Sequence, residues 1–506
     1  MITCNLQLAT LNINSQIEKQ ISMTTIQLEK GIIHLILPFR LCSGVSSDFG
    51  NIENEVWART NEDIPRLDFL LEHVKKFFAG NADKENADGS ACVIMKLKTD
   101  SLPVKMFNNK TFWLSNRPYD NHQKTKNLLK YAVNLDPSAF RIVFHPFTKI
   151  AILIYSIELV KQNKNSELPN LDDFIKMNYL LRLFNRHDEA YFIAQNERPE
   201  ERNKAGQLNT GKSDLFHKNE NGNIEQEGWR PRQLINYLLQ DINTSYSVEL
   251  FDNFHFSPVC YLQPSDEIKD EDIIHHALFY LRKVYDFDYK PASNVLQREE
   301  ELLHPYRQIY YASSLEGAVV LNNCSSSDPE FIRIFYSNSF HKTLWLTILG
   351  FLQRSIFLQL MKEVSDINPD DHQKIKEYLK RYTSISLKAI FSKVSVFHQH
   401  NDYYDLIIHN LQINELQTEL KDELHELNNL QRQFHEDEVE KHDEIEKQYD
   451  KKLNMILFAL SVFGLTQVTY SAIGATNMSF IQHALAIGIP VILGIVFWQM
   501  LISRRK

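Results

Sequence analysis

Residues 453–473 read LNMILFALSVFGLTQVTYSAI, and residues 483–502 read HALAIGIPVILGIVFWQMLI. The first run has 21 residues and no charge. At ~1.5 Å per residue a helix of that length spans about 31 Å, close to the ~30 Å hydrocarbon core of a bilayer. Two transmembrane helices are expected, at 453–473 and 483–503. The connection 474–482 is short and uncharged. Lys451-Lys452 precede the first run, and Arg504-Arg505-Lys506 follow the second. Positive residues favour the cytoplasmic side. The expectation is a multi-pass protein of the inner (cytoplasmic) membrane, with the short loop outside and both termini in the cytoplasm. Met1-Ile2-Thr3-Cys4-Asn5 does not lead into an apolar run, so insertion is expected to depend on these two segments.

Upstream, Ile413, Leu416, Leu420, Leu424, Leu427, Leu430 and Phe434 recur at three- and four-residue steps. That spacing lays one apolar seam along a long helix, read as a stalk over 403–452. From His435 to Lys452 acids dominate, and only Val439, Ile445 and Tyr449 continue the stripe. Glu436, Asp437, Glu440, Asp443 and Glu444 have two readings. They are the solvated face of a membrane-proximal helix, or an acidic collar that concentrates cations, a divalent metal ion among them, at a pore mouth. Two helices of one chain cannot enclose an aqueous path, so a pore requires several copies around an axis. Along the first span Asn454, Leu457, Ser461, Leu465, Val468, Ala472 and Ala475 share one face, with Gln467, Tyr470 and Ser471 opposite. Either face lines a pore or packs between helices.

The whole chain has 506 residues and a net charge of −9. A chain of this length holds two to four domains. The charge opposes nonspecific nucleic-acid binding, so no direct nucleic-acid partner is expected. Cys4, Cys42, Cys92, Cys260 and Cys324 are scattered and odd in number, which fits reduced thiols better than a disulfide framework or zinc site.

Residues 1–327 read as a mixed body, an α+β cytoplasmic sensor domain. A hairpin is expected over 23–38, turning at Glu29-Lys30-Gly31. Helices are expected at 65–78, 172–184, 231–241 and 271–285, strands at 91–97, 248–256 and 259–262, two strands over 140–159 joined at Pro146-Phe147-Thr148-Lys149, and a hairpin over 308–321 turning near Leu315-Glu316-Gly317. Residues 196–228 are nearly free of large apolar groups and read as a mobile insertion. From Asp328, a candidate N-cap followed by Pro329, the chain reads as helical to 402. Thr343–Leu352 is apolar enough to raise the question of a third span, but Gln353 and Arg354 interrupt it, so a buried helix is expected. A further helix is expected over 371–397, with His398-Gln399-His400-Asn401 as a turn before the stalk.

Gly206-Gln207-Leu208-Asn209-Thr210-Gly211-Lys212-Ser213 matches a phosphate-loop pattern without the strand before it or the helix after it, and is set aside. His275-His276 diverge by about 100° on a helix, so they do not converge on a metal. Trp229-Arg230-Pro231-Arg232 offers an aromatic ring and two guanidinium groups, through Trp229, Arg230 and Arg232. It is a weak ligand-binding candidate beside the alternative of a solvated helix cap. Tyr306-Arg307 and Tyr310-Tyr311 are weaker still. No nucleophile–base constellation is present, so no enzyme activity is expected.

The order of stalk, span, short outer loop, span and basic end resembles the CorA-type metal-ion transporters. Tyr378, Arg381-Tyr382, Phe391-Ser392-Lys393-Val394-Ser395, Tyr404 and Leu411–Leu427 resemble the run leading into the CorA stalk. The resemblance covers about 328–506. It implies a homopentameric funnel with the first span lining the pore. CorA proteins carry Gly-Met-Asn at the outer end of that span. This chain has Ala475-Thr476-Asn477-Met478-Ser479-Phe480, where Asn477 stands for the pore-mouth asparagine and magnesium selectivity does not follow. Divergent CorA-like proteins of this kind resemble membrane effectors associated with type III CRISPR systems, in which an S-adenosylmethionine–AMP conjugate is implicated as trigger. The resemblance thus implies an antiviral channel in the membrane, opened by a nucleotide second messenger and causing ion leak. The alternatives are a divalent-cation (magnesium) transporter and a non-conducting membrane-anchored scaffold.

Overall fold

The computed structural model describes residues 23, 25–42, 54–78, 91–108, 111–115, 130–161, 167–182, 191–194, 217–218, 224–225, 231–245, 247–251, 256–324, 340–368, 371–472, 488, 492 and 494–496. It divides into two compact units, residues 1–366 with 377–423, and residues 367–376 with 424–506.

The first unit is built on a 13-stranded sheet. Its strands are β1 (Leu28–Cys42), β2 (Trp57–Arg59), β3 (Val93–Leu97), β4 (Thr111–Ser115), β5 (Lys130–Leu135), β6 (Arg141–His145) and β7 (Ile150–Leu159). They continue with β8 (Tyr191–Ala194), β9 (Ser247–Leu250), β10 (Ser257–Pro264), β11 (Leu302–Tyr306), β12 (Ile309–Ser313) and β13 (Ala318–Asn322). The order is β11-β12-β13-β10-β1-β7-β5-β4-β8. A branch β2-β3-β6 joins β7, and β9 continues β10's edge of β1. Pairing is antiparallel except between β10 and β13. The helices are α1 (Glu72–Phe78), α2 (Leu102–Phe107), α3 (Leu171–Arg182), α4 (Pro231–Ser245), α5 (Glu271–Lys283), α6 (Ser293–Leu296), α7 (His341–Ser365), α8 (His372–Lys388), α9 (His398–Asn410) and α10 (Ile413–Ala472).

Side chains alternate between the two faces of a strand. On one face Ile33, Leu35 and Leu37 of β1 join Leu153 and Ile157 of β7 and the buried sides of α3, α4 and α5 in one core. On the other face α7 packs along β1 and β7, and the ring of Phe340 at its start stacks on His34. The result is a sheet between two helical layers.

Several expectations are corrected. The hairpin over 23–38 is instead the single strand β1, which runs straight through Glu29-Lys30-Gly31. Gly31 is there for close approach, since a Cβ on it would lie 2.7 Å from the Phe174 ring. The helix over 65–78 is a 3₁₀ turn, Ile64–Leu67, followed by α1. Between them Leu70 bridges to Ser395 and Leu71 N donates to Val394 O at 2.8 Å, an outside pairing that interrupts helical bonding. The strand over 248–256 stops at Leu250.

The helix over 371–397 ends at Lys388. Gln353 Nε2 takes the Ala389 carbonyl at 2.6 Å, and Asn401 Oδ1 accepts from Val394 N and Ser395 N at 2.9 and 3.1 Å. His398–Asn401 is the first turn of α9, not a loop. The stalk does not run unbroken from 403, because α9 ends at Asn410 and Gln412 turns left-handed at φ 55°. Helices α7 and α9 lie in the unit that holds the sheet. Of the 196–228 insertion, only a pairing of His217–Lys218 with Ile224–Glu225 is described. The phosphate-loop match and the proposed Asp328 cap lie outside the described residues.

Among the described residues α7 is the one helix that meets the length and apolarity of a membrane span, and 83% of its apolar window is buried inside the protein. It is a core helix, and its polar residues are matched. Thr347 Oγ1 meets the Tyr403 hydroxyl at 2.8 Å, Tyr404 donates to Gln353 Oε1 at 2.9 Å, and Arg354 donates to Leu411 O. Gly350 lets α9 close on α7, since a Cβ there would lie 2.5 Å from Ile407 Cγ2. Gly350→Val is therefore expected to destabilise the protein by about 1–3 kcal/mol through overpacking. Leu387→Ser, at a side chain that is 78% exposed, should leave the melting temperature unchanged in the same thermal unfolding assay.

Candidate functional site

Helix α10 has 60 residues and no break from Ile413 to Ala472, a length of about 90 Å at 1.5 Å per residue. Its seam is visible in the burial pattern. Ile413, Leu420 and Leu424 are buried, Leu416 and Leu427 half-buried. Beyond them Val439, Ile445 and Tyr449 are exposed.

Because the helix is continuous, its faces can be followed at ~100° per residue. Glu436, Asp437, Glu440, Asp443 and Glu444 fall within about a third of the circumference, on the side opposite the seam. Glu436, Glu440, Asp443 and Glu444 are exposed, while the side chain of Asp437 lies outside the described residues. On the same side, farther along, come Asn454, Ser461, Leu465 and Val468, all four exposed. Acidic stripe and mildly polar stripe thus follow one another along one flank. Ser461 Oγ donates to Leu457 O at 2.8 Å, and Ser471 Oγ to Gln467 O at 2.9 Å. Each hydroxyl spends its hydrogen on its own helix and keeps oxygen lone pairs to offer.

Leu453, Met455, Ile456, Leu457, Leu460, Leu465 and Val468 each expose more than half of their surface, and they point around the helix rather than to one side. A helix that is apolar all round is a buried or a membrane helix. The described residues of the second run, Gly488, Ile492 and Gly494–Val496, are helical. Gly494 is buried against α10, where a Cβ would lie 2.9 Å from Val462 Cγ2 and 3.4 Å from Phe458 Cζ. A bare glycine thus lets the two runs touch, as small residues do between membrane helices. The contact takes Phe458 and Val462, which neighbour Leu465 on the helix surface, and Asn454, Ser461, Leu465 and Val468 stay exposed beside it.

The remaining sequence candidates do not converge. Trp229, Arg230 and Asn477 lie outside the described residues. Arg232 sits exposed in the first turn of α4. His276 is buried with Nδ1 2.7 Å from Asp272 O, and His275 sits one residue round the helix. Tyr306 is exposed and donates to Gln399, while Tyr310 and Tyr311 are buried in β12. Cys42, Cys92, Cys260 and Cys324 are free. Among the described residues no group of three or more His, Cys, Asp or Glu is placed to hold a metal ion.

The sequence reading passed over the polar side chains inside the body. Arg282 is fully buried, with Nε 2.7 Å from Glu301 Oε2, and Lys283 reaches Glu301 Oε1 at 2.9 Å. Glu363 joins Arg40 at 3.1 Å and Arg381, tying the end of α7 to β1 and α8. His34, inside the apolar run of β1, shares a hydrogen bond with Ser156. The available signal was a histidine at an inward position of a strand. Compared with protein-family models, curated proteins and solved structures, the chain matches none.

Burial, with His341 nearby, holds His34 down to about 3, and burial, with Lys342 nearby, holds His400 down to about 4. Both imidazoles stay neutral in the fold, whereas in the unfolded chain they titrate near pH 6.5. Below that pH the unfolded chain takes up protons that the folded chain refuses. Their contribution is therefore fully present above pH ~6.5 and is lost on acidification, by about 1.4 kcal/mol per pH unit for each. Denaturant midpoints at about pH 7 and about pH 5 measure this, and His400→Gln should make the fall in stability over that interval smaller.

Proposed function

We propose that the chain is a CorA-like membrane channel, assembled as a homopentamer and gated from its cytoplasmic body. The observation that carries the reading is α10. One unbroken helix passes from an exposed acidic stripe into an uncharged end with apolar side chains on all sides. Burial in lipid removes that apolar surface from water, and neighbouring copies cover what remains. The exposed flank with Asn454, Ser461, Leu465 and Val468 lines the path, with Asn477 at its outer mouth. Glu436, Asp437, Glu440, Asp443 and Glu444 raise the local cation concentration on the cytoplasmic side.

The trigger in this reading is a nucleotide second messenger, as in the type III CRISPR-associated proteins that the chain resembles. It acts by binding the open state more tightly than the closed one. Ion leak through the inner membrane then halts an infected cell. No step requires bond-making chemistry from the protein.

Reconstitution into liposomes tests this. Cation flux is expected to rise on adding an S-adenosylmethionine–AMP conjugate or a related nucleotide. Nucleotide-independent magnesium uptake would replace the reading with a transporter, and absence of flux under every ligand would leave a scaffold. Replacing Glu436, Glu440, Asp443 and Glu444 together by their amides is expected to lower cation flux several-fold at low ionic strength. The deficit should shrink as added salt shortens the Debye length from ~30 Å toward ~8 Å.

A further inference from the structure

Just before its apolar length, α10 carries charge in two short rows. Glu446 and Asp450 stand one turn apart, and so do Lys447 and Lys451. All four are exposed. At ~100° per residue each row stays within about 40° of the circumference, and the rows stand about 100° from one another. Like charges at i,i+4 weaken an isolated helix. Among the described residues none of the four closes an ion pair within the chain, although Asp443 lies one turn before Lys447. Lys452 beside them is engaged, over the Tyr449 ring at 5.9 Å.

Both directions continue into the apolar length. Leu457 and Gly464 fall on the line of the acidic row, and both are exposed. A Cβ on Gly464 would meet nothing within 4 Å. An interior glycine weakens a helix, and this one receives no neighbour from its own chain. Between membrane helices a bare glycine admits a second helix at close range. Phe458 and Val462 continue the basic row, and Gly494 of the second run rests on them. The flank with Asn454, Ser461, Leu465 and Val468 lies between the two lines and bisects them.

We propose that α10 forms the contact between copies of this chain, with Glu446 and Asp450 of one helix against Lys447 and Lys451 of the next. The proposal rests on the reading of the chain as a ring of copies, and it names what closes the ring. Copies in a cyclic ring stand at one height, and each uses two different patches, one for either neighbour. Glu446 and Lys447 differ by ~1.5 Å along the axis, as do Asp450 and Lys451, so opposite charges meet level between parallel helices. In regular rings of three, four, five and six helices the neighbours of one helix lie about 60°, 90°, 108° and 120° apart. A separation of ~100° suits four or five copies and not three. The direction midway between two neighbours is the ring axis, and the Asn454 and Ser461 flank takes that direction. Farther along, the second run of one copy comes against the bare Gly464 of the next.

The test uses the full-length protein in detergent, with its mass read by light scattering over a dilution series. Lys447→Glu with Lys451→Glu sets acid against acid. It is expected to raise the concentration for half-assembly about tenfold or more. Adding Glu446→Lys and Asp450→Lys reverses both rows and is expected to restore the assembly of the parent protein. Lys441→Glu, exposed and turned away from both rows, should assemble as the parent does. In membranes, Glu446→Cys together with Lys447→Cys is expected to give disulfide-linked ladders above the background of the parent, and Gln448→Cys is not. Assembly that survives reversal of the basic row alone overturns the proposal. So does a fourfold reversal that fails to restore assembly, or the absence of a ladder. A parent protein that stays monomeric ends both the contact and the ring. Flux separates the other outcomes. A ring held by these rows that conducts nothing keeps the contact and ends the channel. One that conducts with the basic row reversed alone keeps the channel and ends the contact.

Discussion

Helix α10 has one backbone from Ile413 to Ala472, with every internal amide bonded one turn back. A helix is stiff to twist, so its faces stay in register along its length. Within the second unit, Leu424 and Leu427, the acids of residues 436–444, and Asn454 and Ser461 stand at fixed angles around one helical axis. Sequence periodicity sets each stripe separately. Only the unbroken helix ties them together, and without that tie the acidic stripe would have no defined relation to the polar one.

The body depends on a comparable economy around β1. This strand is paired on both edges, by β7 on one side and by β10 and β9 on the other. It supplies apolar residues to one core and polar residues to the opposite layer. Gly31 admits the Phe174 ring on the first face, and His34 departs from the apolar pattern on the second. Placing both features within four residues of one strand couples packing on one side to polarity on the other.

Much of this was legible in the chain. The seam of α10 follows from its spacing, and Gln353 and Arg354 rightly marked α7 as a helix kept inside the protein. Their partners, the carbonyls of Ala389 and Leu411, are contributed by loops far along the chain. Other features were illegible for physical reasons. A glycine between two apolar runs serves equally for a turn or for close contact, and only Phe174 decides for Gly31. The end of α8 at Lys388 and the break at Gln412 carry neither glycine nor proline, because tertiary hydrogen bonds impose them. The pairing of His34 with Ser156 escaped notice because register between β1 and β7 is a property of the fold.

The turn at Gln412 has a consequence of its own. A left-handed residue other than glycine costs about 1–2 kcal/mol, and Gln412 holds that conformation at φ 55° while Arg354 grips the neighbouring Leu411 carbonyl. The joint is thus a loaded elbow rather than a relaxed one. Arg354 reaches this joint from inside the buried helix α7, so the break between α9 and α10 is secured by the core of the body rather than by the residues of the turn.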